Sequence, residues 1–442
     1  MLKLTVITIA VSLQIAGADL FAADLQQTSD TMEEVVVVAS KIPQPLFRVA
    51  SQVTSFHRDD LDRLQVQSLA DIARYQPALE AEYEGNRFGS TGLSIRGIGG
   101  NRVAMELDGV PMPSHFSVGE FASSSRHLLD PAMIERIEVL RGPASSLYGS
   151  DAIGGVVVVE SADPASLINA GEDLYLSAGG GWFGVDNSRL VYGTSALQAG
   201  AHGFLLTLNH RQGSEKDNLS ETIDDDQSEH DAYHGLAKWR YELASGSKVE
   251  GIIDVHHQTV DSDLRSVLGF GRQYANTVSL TGADSQDRKR FSLSYESTNW
   301  QHLELVDVLV YSQATQTDQF TRDRRENISI NTAQQIDREF LFEERSHGIE
   351  AKLRKDFHAN HGEHMLIAGV EWDHEQLQES RDGLLTDLNS LATTKLLPPG
   401  ELLPTRDLPE TELDRYGMYL QDEWRLGAWT LIPAIRWDRY VL

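Results

Sequence analysis

Histidine spacing is the first place to look for chemistry in this 442-residue chain. His358, His361 and His364 recur at a spacing that metal ligands use, but they fall in a polar turn between two strand patterns, where solvated turn histidines are expected. His256-His257 reads as a strand passing through an interface. Gly97-Ile98-Gly99-Gly100 is similar to a dinucleotide fingerprint, yet Arg102 takes the third glycine's place and a strand pattern follows where a helix is needed. No nucleophile elbow, phosphate-binding loop or His-Glu zinc motif occurs. The absence of cysteine excludes disulfides, zinc-thiolate sites and thiol chemistry. Arg96, Arg102, Glu135, Glu138 and Arg141 are charged residues at strand positions; buried, they need partners, whereas a solvated face asks for none. With no catalytic constellation, the chain reads as a non-enzyme.

These side chains hang on a frame that is clearest over residues 134–161, IERIEVLRGPASSLYGSDAIGGVVVVES. Ile134, Ile137 and Val139 alternate with charge as a strand, which breaks at Arg141-Gly142-Pro143. A small-residue helical turn follows over 144–148, ending at Tyr148. Gly149, Gly154 and Gly155 then release the backbone into a second strand over 156–160. Upstream, residues 52–56 form a strand and 58–64 and 68–73 helix-like turns, the second opened by Ser68 with Asp71 three residues on. Strands over 93–97 and 102–107 follow, and Asp108-Gly109 marks a turn. Residues 49–165 thus form one small α/β domain. The formal net charge of −28 disfavours nucleic acid as a partner.

The words ERIEVLRGP, YG and AIGGV, together with LSIRGIGGNRVAMELDGVPM, closely resemble the plug domain of TonB-dependent outer-membrane receptors. The resemblance implies a monomeric receptor in a Gram-negative outer membrane, in contact with its lipids, that transports an iron source without chemistry on it. In such receptors the matching RG and ERIEVLRG charges help hold the plug against the barrel wall. Plug domains usually carry Pro-Gly where this chain has Pro77-Ala78, a departure expected to alter that turn. The resemblance also implies a TonB box at Glu34, Val35, Val36, Val37, Val38 and Ala39, a mobile extended segment that would offer its main chain to the sheet edge of TonB. From residues alone, that valine run would be a buried strand. At the plug apex, Tyr83, Arg87, Phe88, Met112, His115 and Phe116 are the expected ligand-binding residues, with His127 a weaker one. GGNRVAMELDGV leans towards members that take up heme or haemoglobin-bound heme; His115 would ligate heme iron, Met112 and Phe116 would pack on the porphyrin, and Arg87 would pair with a propionate or a siderophore's anionic groups. The expected ligand is therefore heme or haemoglobin-derived heme, with a ferric siderophore or cobalamin as the alternative, and no covalent cofactor.

Residues 1–23 have the charge and apolar run of a signal peptide, and 24–48 form the mobile segment. Residues 166–442 alternate apolar and polar in stretches of about ten, the pattern of an antiparallel transmembrane β-barrel. Trp239, Tyr241, Trp300, Trp372, Trp424 and Trp437 are placed for aromatic girdles. Stretches 213–231, 261–287, 318–342 and 376–414 read as extracellular loops, while 244–247, 299–301 and 426–428 read as periplasmic turns. About eleven strands are expected, roughly half of the 22 in plugged transporters. That count makes the chain the expected N-terminal portion of a longer receptor, with a truncated, non-transporting binding fragment as a further reading.

Overall fold

The structure is a computed structural model that describes residues 35–49, 51–74, 76–83, 90–118, 122–126, 130–214, 220, 222–272, 274–327, 332–359, 362–398 and 400–442. Residues 1–34, with the expected signal peptide and the expected TonB-box residue Glu34, lie outside these. The first unit is built on a five-stranded sheet of β1 (Gln52–His57), β2 (Val103–Leu107), β3 (Val110–Pro111), β4 (Ile134–Arg141) and β5 (Gly155–Ser161), in the order β1-β4-β5-β2-β3. β5 runs parallel to β2 and antiparallel to β4.

β4 is buried on both faces, which its charged residues disguise. Ile137 and Val139 join Phe56, Leu61, Ile72 and Val159 in one core, and Leu140 joins Val38, Ala152 and Val158 in another. Each such burial contributes about 1.5–3 kcal/mol. β5 lies so close to β4 that a Cβ on Gly155 would strike the Leu140 carbonyl oxygen. The helices span Arg58–Arg63 and Leu69–Arg74. At the second it is Asp71 that reaches back, accepting from the N–H groups of Gln67 and Ser68 at 3.0 and 3.1 Å. Ala78 takes φ 64°, the left-handed turn of a glycine, which costs an L-residue about 1–2 kcal/mol. The Pro-Ala departure therefore keeps a turn that glycine would take without strain.

Eleven antiparallel strands follow in chain order: β6 (Leu174–Phe183), β7 (Ser188–Ala199), β8 (His202–Ser214), β9 (Gln227–Glu242), β10 (Lys248–Asp263), β11 (Thr277–Trp300), β12 (Leu303–Asn327), β13 (Thr332–Ala359), β14 (Gly362–Asp387), β15 (Thr411–Leu426) and β16. β16 comes in two pieces, Trp429–Leu431 and Ala434–Val441, both paired to β15. The sheet is open, without a ladder from β16 back to β6. Its register aligns exposed apolar residues across neighbours: Leu293 opposite Val310, Val310 opposite Ile349, Ile349 opposite Trp372, and Met418 opposite Trp437. The alternate positions turn inward and are polar yet buried, among them Asp254, Arg288, Arg290 and Gln313. Apolar outside and polar inside is the inverse of a soluble sandwich, and it suits lipid around a filled barrel.

Short connections at 243–247, 301–302 and 427–428 share one end of the sheet, the periplasmic end by barrel convention. Of the stretches expected as extracellular loops, 318–342 is strand over its described residues, and strand extends into 261–287 and 376–414. β11 to β14 run 24 to 28 residues, and the ladder between β11 and β12 continues to Thr277 opposite Arg325. Some 9–11 residues suffice to cross the hydrocarbon. The rest stand above it, where an outward face needs no apolar residues and the alternation that marks a strand fades from the sequence.

Candidate functional site

The polar inner wall grips the first unit at three levels. At the apex, Phe116–Ser117 pairs with Ser123–Ser124, and the Phe116 ring stacks on Phe342 at 5.2 Å and Phe340 at 6.3 Å. The backbone N–H of Ser114 donates to Glu344 and that of Ser123 to Gln319. His115 braces this hairpin: its Nδ1 lies 2.6 Å from the Ser124 carbonyl oxygen and its backbone N–H donates to Asn101. Met112 is buried, with the Arg288 guanidinium 3.6 Å from its sulfur. Phe116 packs against the wall, whereas Met112 is buried in the plug's own core and borders a cavity between plug and wall. Tyr83 ends a strand paired with Ser90–Ile95, whereas Arg87, Phe88 and His127 lie outside the described residues.

Arg126, which the sequence reading passed over, fastens the apex from beneath. It is buried and donates to the carbonyls of Pro113, Gly100 and Val103. Above it a cavity of about 190 Å³ opens between the apex residues Val118 and Ala122 and the wall residues Tyr274, Arg338, Phe340 and Arg381. Asp323, Glu339, Asp382 and Glu401 line it as well, and Arg338 and Arg381 are already paired with Asp323 and Glu401, so the lining is of mixed charge and suits a ligand rich in hydrogen-bonding groups. Arg338 and Arg381 stand in the stretches expected as loops, so no strand pattern pointed them inward.

At mid-height the Asp108-Gly109 turn seats on the wall. Asp108 accepts from the backbone N–H and hydroxyl of Ser161, pairs with Arg290 at 2.7 Å and lies 3.5 Å from the Lys238 ammonium. Arg290 also donates to the Leu107 carbonyl and approaches Asp254, which binds Arg288 at 2.7 Å. A Cβ on Gly109, at φ 77°, would sit 3.1 Å from Leu309 of β12, so glycine lets the turn touch the wall. Burial alone would raise the Asp108 pKa; Lys238, Arg290 and the Ser161 hydrogen bonds outweigh it and hold it at about 2. Because that lies below the unfolded value, the stabilisation, about 2 kcal/mol, is complete above about pH 4 and disappears as pH falls through about 2. Asp108→Asn takes the nearest carboxylate from Lys238 and leaves Arg290 only Asp254 at 3.4 Å, so a loss of about 3 kcal/mol in plug stability is expected, measured by denaturant unfolding at pH 7.

The other expected wall contacts hold the plug to itself. Arg96 donates to Gln52, Arg102 to the Gly99 carbonyl, and Arg141 to Thr54 and Gln76. Burial raises the Glu135 pKa, opposed by a Ser166 hydrogen bond, by Arg58 and by the wall residue Lys238, so this one charge does face the barrel wall. Glu138 has another task. Buried in β4, it accepts from the backbone N–H groups of Val37 and Val38, both at 2.8 Å. Arg136 donates to the Val35 carbonyl and pairs with Glu138 and Glu160.

The N-terminal segment is therefore docked over its described residues, contrary to its expected mobility. Val35–Val36 pairs antiparallel with Gln44–Pro45, and Val36 and Val38 are fully buried. The valines that offer an extended edge also offer apolar surface, and the plug takes both. Glu34 lies outside the described residues. Five residues beyond Val36, the Lys41 ammonium is buried between Glu350 at 2.8 Å, Glu371 at 2.6 Å and Glu106 at 3.9 Å, over the rings of Tyr148 and Tyr419. Burial lowers the Lys41 pKa, but these carboxylates outweigh it and place it well above its ordinary value. No motif announces this contact, because its partners lie some three hundred residues away.

The spaced histidines form no site. His358 is exposed beside Glu363, His364 binds Asp422 and stacks between Phe357 and Trp424, and His361 lies outside the described residues. His256 turns inward, edge-on to His234, while His257 faces out to Asp287. Among the described residues no group of three His, Asp or Glu side chains is disposed to hold a metal ion.

Two family models match this architecture: the TonB-dependent Receptor Plug Domain over residues 45–156, and the TonB dependent receptor-like beta-barrel over 179–442, more than half of the chain. The vitamin B12 transporter BtuB of Vibrio vulnificus (strain CMCP6) is 30% identical over 301 residues, covering 63% of this chain and 47% of that protein. The chain thus spans about half the length of this curated relative. Among solved structures, the ferripyoverdine receptor of Pseudomonas aeruginosa aligns with a TM-score of 0.61 at 15% identity, over 92% of this chain and 54% of its own. The siderophore receptor PirA of Acinetobacter baumannii aligns with a TM-score of 0.62 at 15% identity, over 88% and 56%.

Proposed function

Because this chain belongs to the TonB-dependent receptor family of Gram-negative outer membranes, whose members transport and do not transform their ligands, we propose that it serves energy-coupled uptake of a metal chelate of ferric-siderophore or cobalamin type. The observation that carries this reading is the cavity between plug apex and wall, where Arg338, Arg381, Tyr274 and Phe340 meet Asp323, Glu339, Asp382 and Glu401 in a lining of mixed charge that suits a chelate rich in hydrogen-bonding groups. The relative with 30% identity is named for vitamin B12, which adds weight to the cobalamin arm. The apex binds the chelate, residues 34–39 engage TonB, and the work done on them remodels the plug. A ligand can drive exposure of that segment only by its differential affinity for the two plug states. The proposed division is signal peptide 1–23, N-terminal segment 24–48, plug 49–165 and barrel 166–442.

The test is binding of cyanocobalamin and of ferric catecholate and hydroxamate chelates to the receptor in outer membranes. One of them is expected to bind and to lose about tenfold or more in affinity in Arg338→Ala, as a desolvated charge-assisted contact should. Heme binding with none of these bound would overturn the reading. One observation favours heme as a second reading: Nδ1 of His115 lies 2.6 Å from the Ser124 carbonyl oxygen, a contact that metal-ligating histidines commonly make. If heme is the ligand, His115→Ala shifts the Soret band; an unchanged spectrum removes His115.

A further inference from the structure

The outward face of the barrel sheet carries a pattern that uptake does not use. On six strands, going towards the extracellular end, the exposed apolar run stops and the next outward position holds a nitrogen base. Arg189 of β7, His210 of β8 and His257 of β10 stand two residues above the exposed Val191, Leu208 and Val255. Lys289 of β11, His347 of β13 and His374 of β14 stand two residues above the exposed Phe291, Ile349 and Trp372. The register makes neighbours of them: His210 and His257 stand opposite Tyr233 from its two sides, and His347 stands opposite His374. Three of the rings meet an aspartate of the next strand, His210 with Asp231 at 2.9 Å, His257 with Asp287 at 3.0 Å and His374 with Asp414 at 3.1 Å.

We propose that this collar is a proton-dependent seat for the phosphate groups of the anionic glycolipid in the outer leaflet. Where the apolar band ends, lipid tails give way to headgroups, and a base that would be costly against the tails meets phosphate there. In a chain of net charge −28, a row of bases that follows the upper lipid boundary from strand to strand is matched to that one partner. Imidazole adds a change of sign. His210 is faced by Arg189 from β7 and by Tyr233 and Asp231 from β9; His257 is faced by the same two β9 residues and by Asp287 and Lys289 from β11. His347 is faced by Ser312 from β12, His374 from β14 and Arg345 on its own strand, and His374 by Asp414, Glu412 and Tyr416 from β15. While the imidazoles are neutral, Asp231, Asp287, Asp414 and Glu412 outnumber Arg189, Lys289 and Arg345, and phosphate is repelled. Protonation of the four rings turns the collar cationic, and histidine is the side chain that ordinarily changes charge between about pH 5 and 8. His257 and His374 meet their aspartates through Nδ1 and His210 through Nε2, so each imidazolium has its other N–H for a charge-assisted bond to phosphate.

The receptor is held in detergent with EDTA, which removes bridging cations, and offered bis-phosphorylated lipid A or lipid A stripped of both phosphates; the lipid that co-elutes with it is measured. Retention of the phosphorylated lipid is expected to be about tenfold or more greater at about pH 5.5 than at about pH 8, with the stripped lipid low at both. The direction is diagnostic, because a phosphate monoester gains charge as pH rises and would bind fixed cations better at the higher pH. His210→Gln, His257→Gln, His347→Gln and His374→Gln combined are expected to hold retention at the parent's higher-pH level throughout, and arginine at the same four positions to keep it high at both. Equal retention by the parent at the two pH values, or a pH dependence that survives the four glutamines, would overturn the proposal. Equal retention of the stripped lipid would make this face a contact for acyl chains alone and overturn it too. If the fourfold variant fails to insert, His257→Gln and His374→Gln made singly are each expected to lower the pH ratio about twofold, and an unchanged ratio in both would overturn the proposal. No residue of the collar lines the apex cavity, so ligand binding there tests the uptake reading separately.

Discussion

Val36→Pro is expected to reduce energised uptake to background while the affinity for ligand changes by less than about twofold, because the two functions sit at opposite ends of the plug. A segment that joins a partner's sheet edge does so through main-chain N–H and C=O groups, and proline removes one donor and fixes φ. Val36 is fully buried and stands opposite Gln44, so the substitution also loosens docking over Val35–Val36. The hydrogen bonds from Val37 and Val38 to Glu138 and the ion pairs of Lys41 belong to other residues and remain. A weaker dock exposes the segment more, which by itself would raise coupling. Loss of uptake despite greater exposure therefore isolates the partner's need for that peptide group. Radiolabelled ligand uptake, set beside binding at 4 °C on the same cells, makes the measurement. Retained uptake would remove residues 34–39 as the coupling segment.

How far the sequence reaches depends on the range of each interaction. The unit over 134–161 is legible because its signals are local: the Gly142-Pro143 break, the glycines before β5 and the alternation of β4 act within a few residues of one another. The barrel wall is legible wherever lipid demands an apolar outward face, as at Phe291 and Leu293. Above the lipid that demand ends, and β11 to β14 continue through stretches that look like loops. Charge is the least legible, since Glu138, Arg141 and Glu106 look like solvated-face residues until the chain returns over them. Glu138 is 1% exposed and serves two backbone donors a hundred residues upstream. The apex adds a long-range contact of its own: Phe116 stacks on Phe340 and Phe342 of the wall, more than two hundred residues on, which no local pattern announces.

Lys41→Met is the second large effect. The ammonium neutralises Glu350 and Glu371, and its removal leaves two carboxylates short of a partner in a buried site, at a cost of about 3 kcal/mol. The lower end of the range for such losses applies, because Arg436 still binds Glu371 at 2.6 Å and Lys352 still lies 3.9 Å from Glu350. The loss falls on the docking of residues 35–48, not on the sheet they dock to. Limited proteolysis is therefore expected to cleave the segment about a hundredfold faster while the plug core stays resistant, since cleavage follows the population of the open form. The effect should hold throughout pH 6 to 9. A lysine pKa raised in the folded state stabilises fully below the unfolded value of about 10.4 and loses its effect only as pH rises through the higher, folded one. Glu106 supplies the only nearby change in that window. Burial, opposed by Lys41, raises its pKa to about 7, so its stabilising proton, fully effective below about pH 4.5, is lost as pH rises through 7. Without Lys41 that value rises further, so docking of the segment in the variant should weaken further across pH 7 to 9, where the parent has already levelled off. Equal cleavage of variant and parent would mean that the valines and Glu138 alone hold the segment.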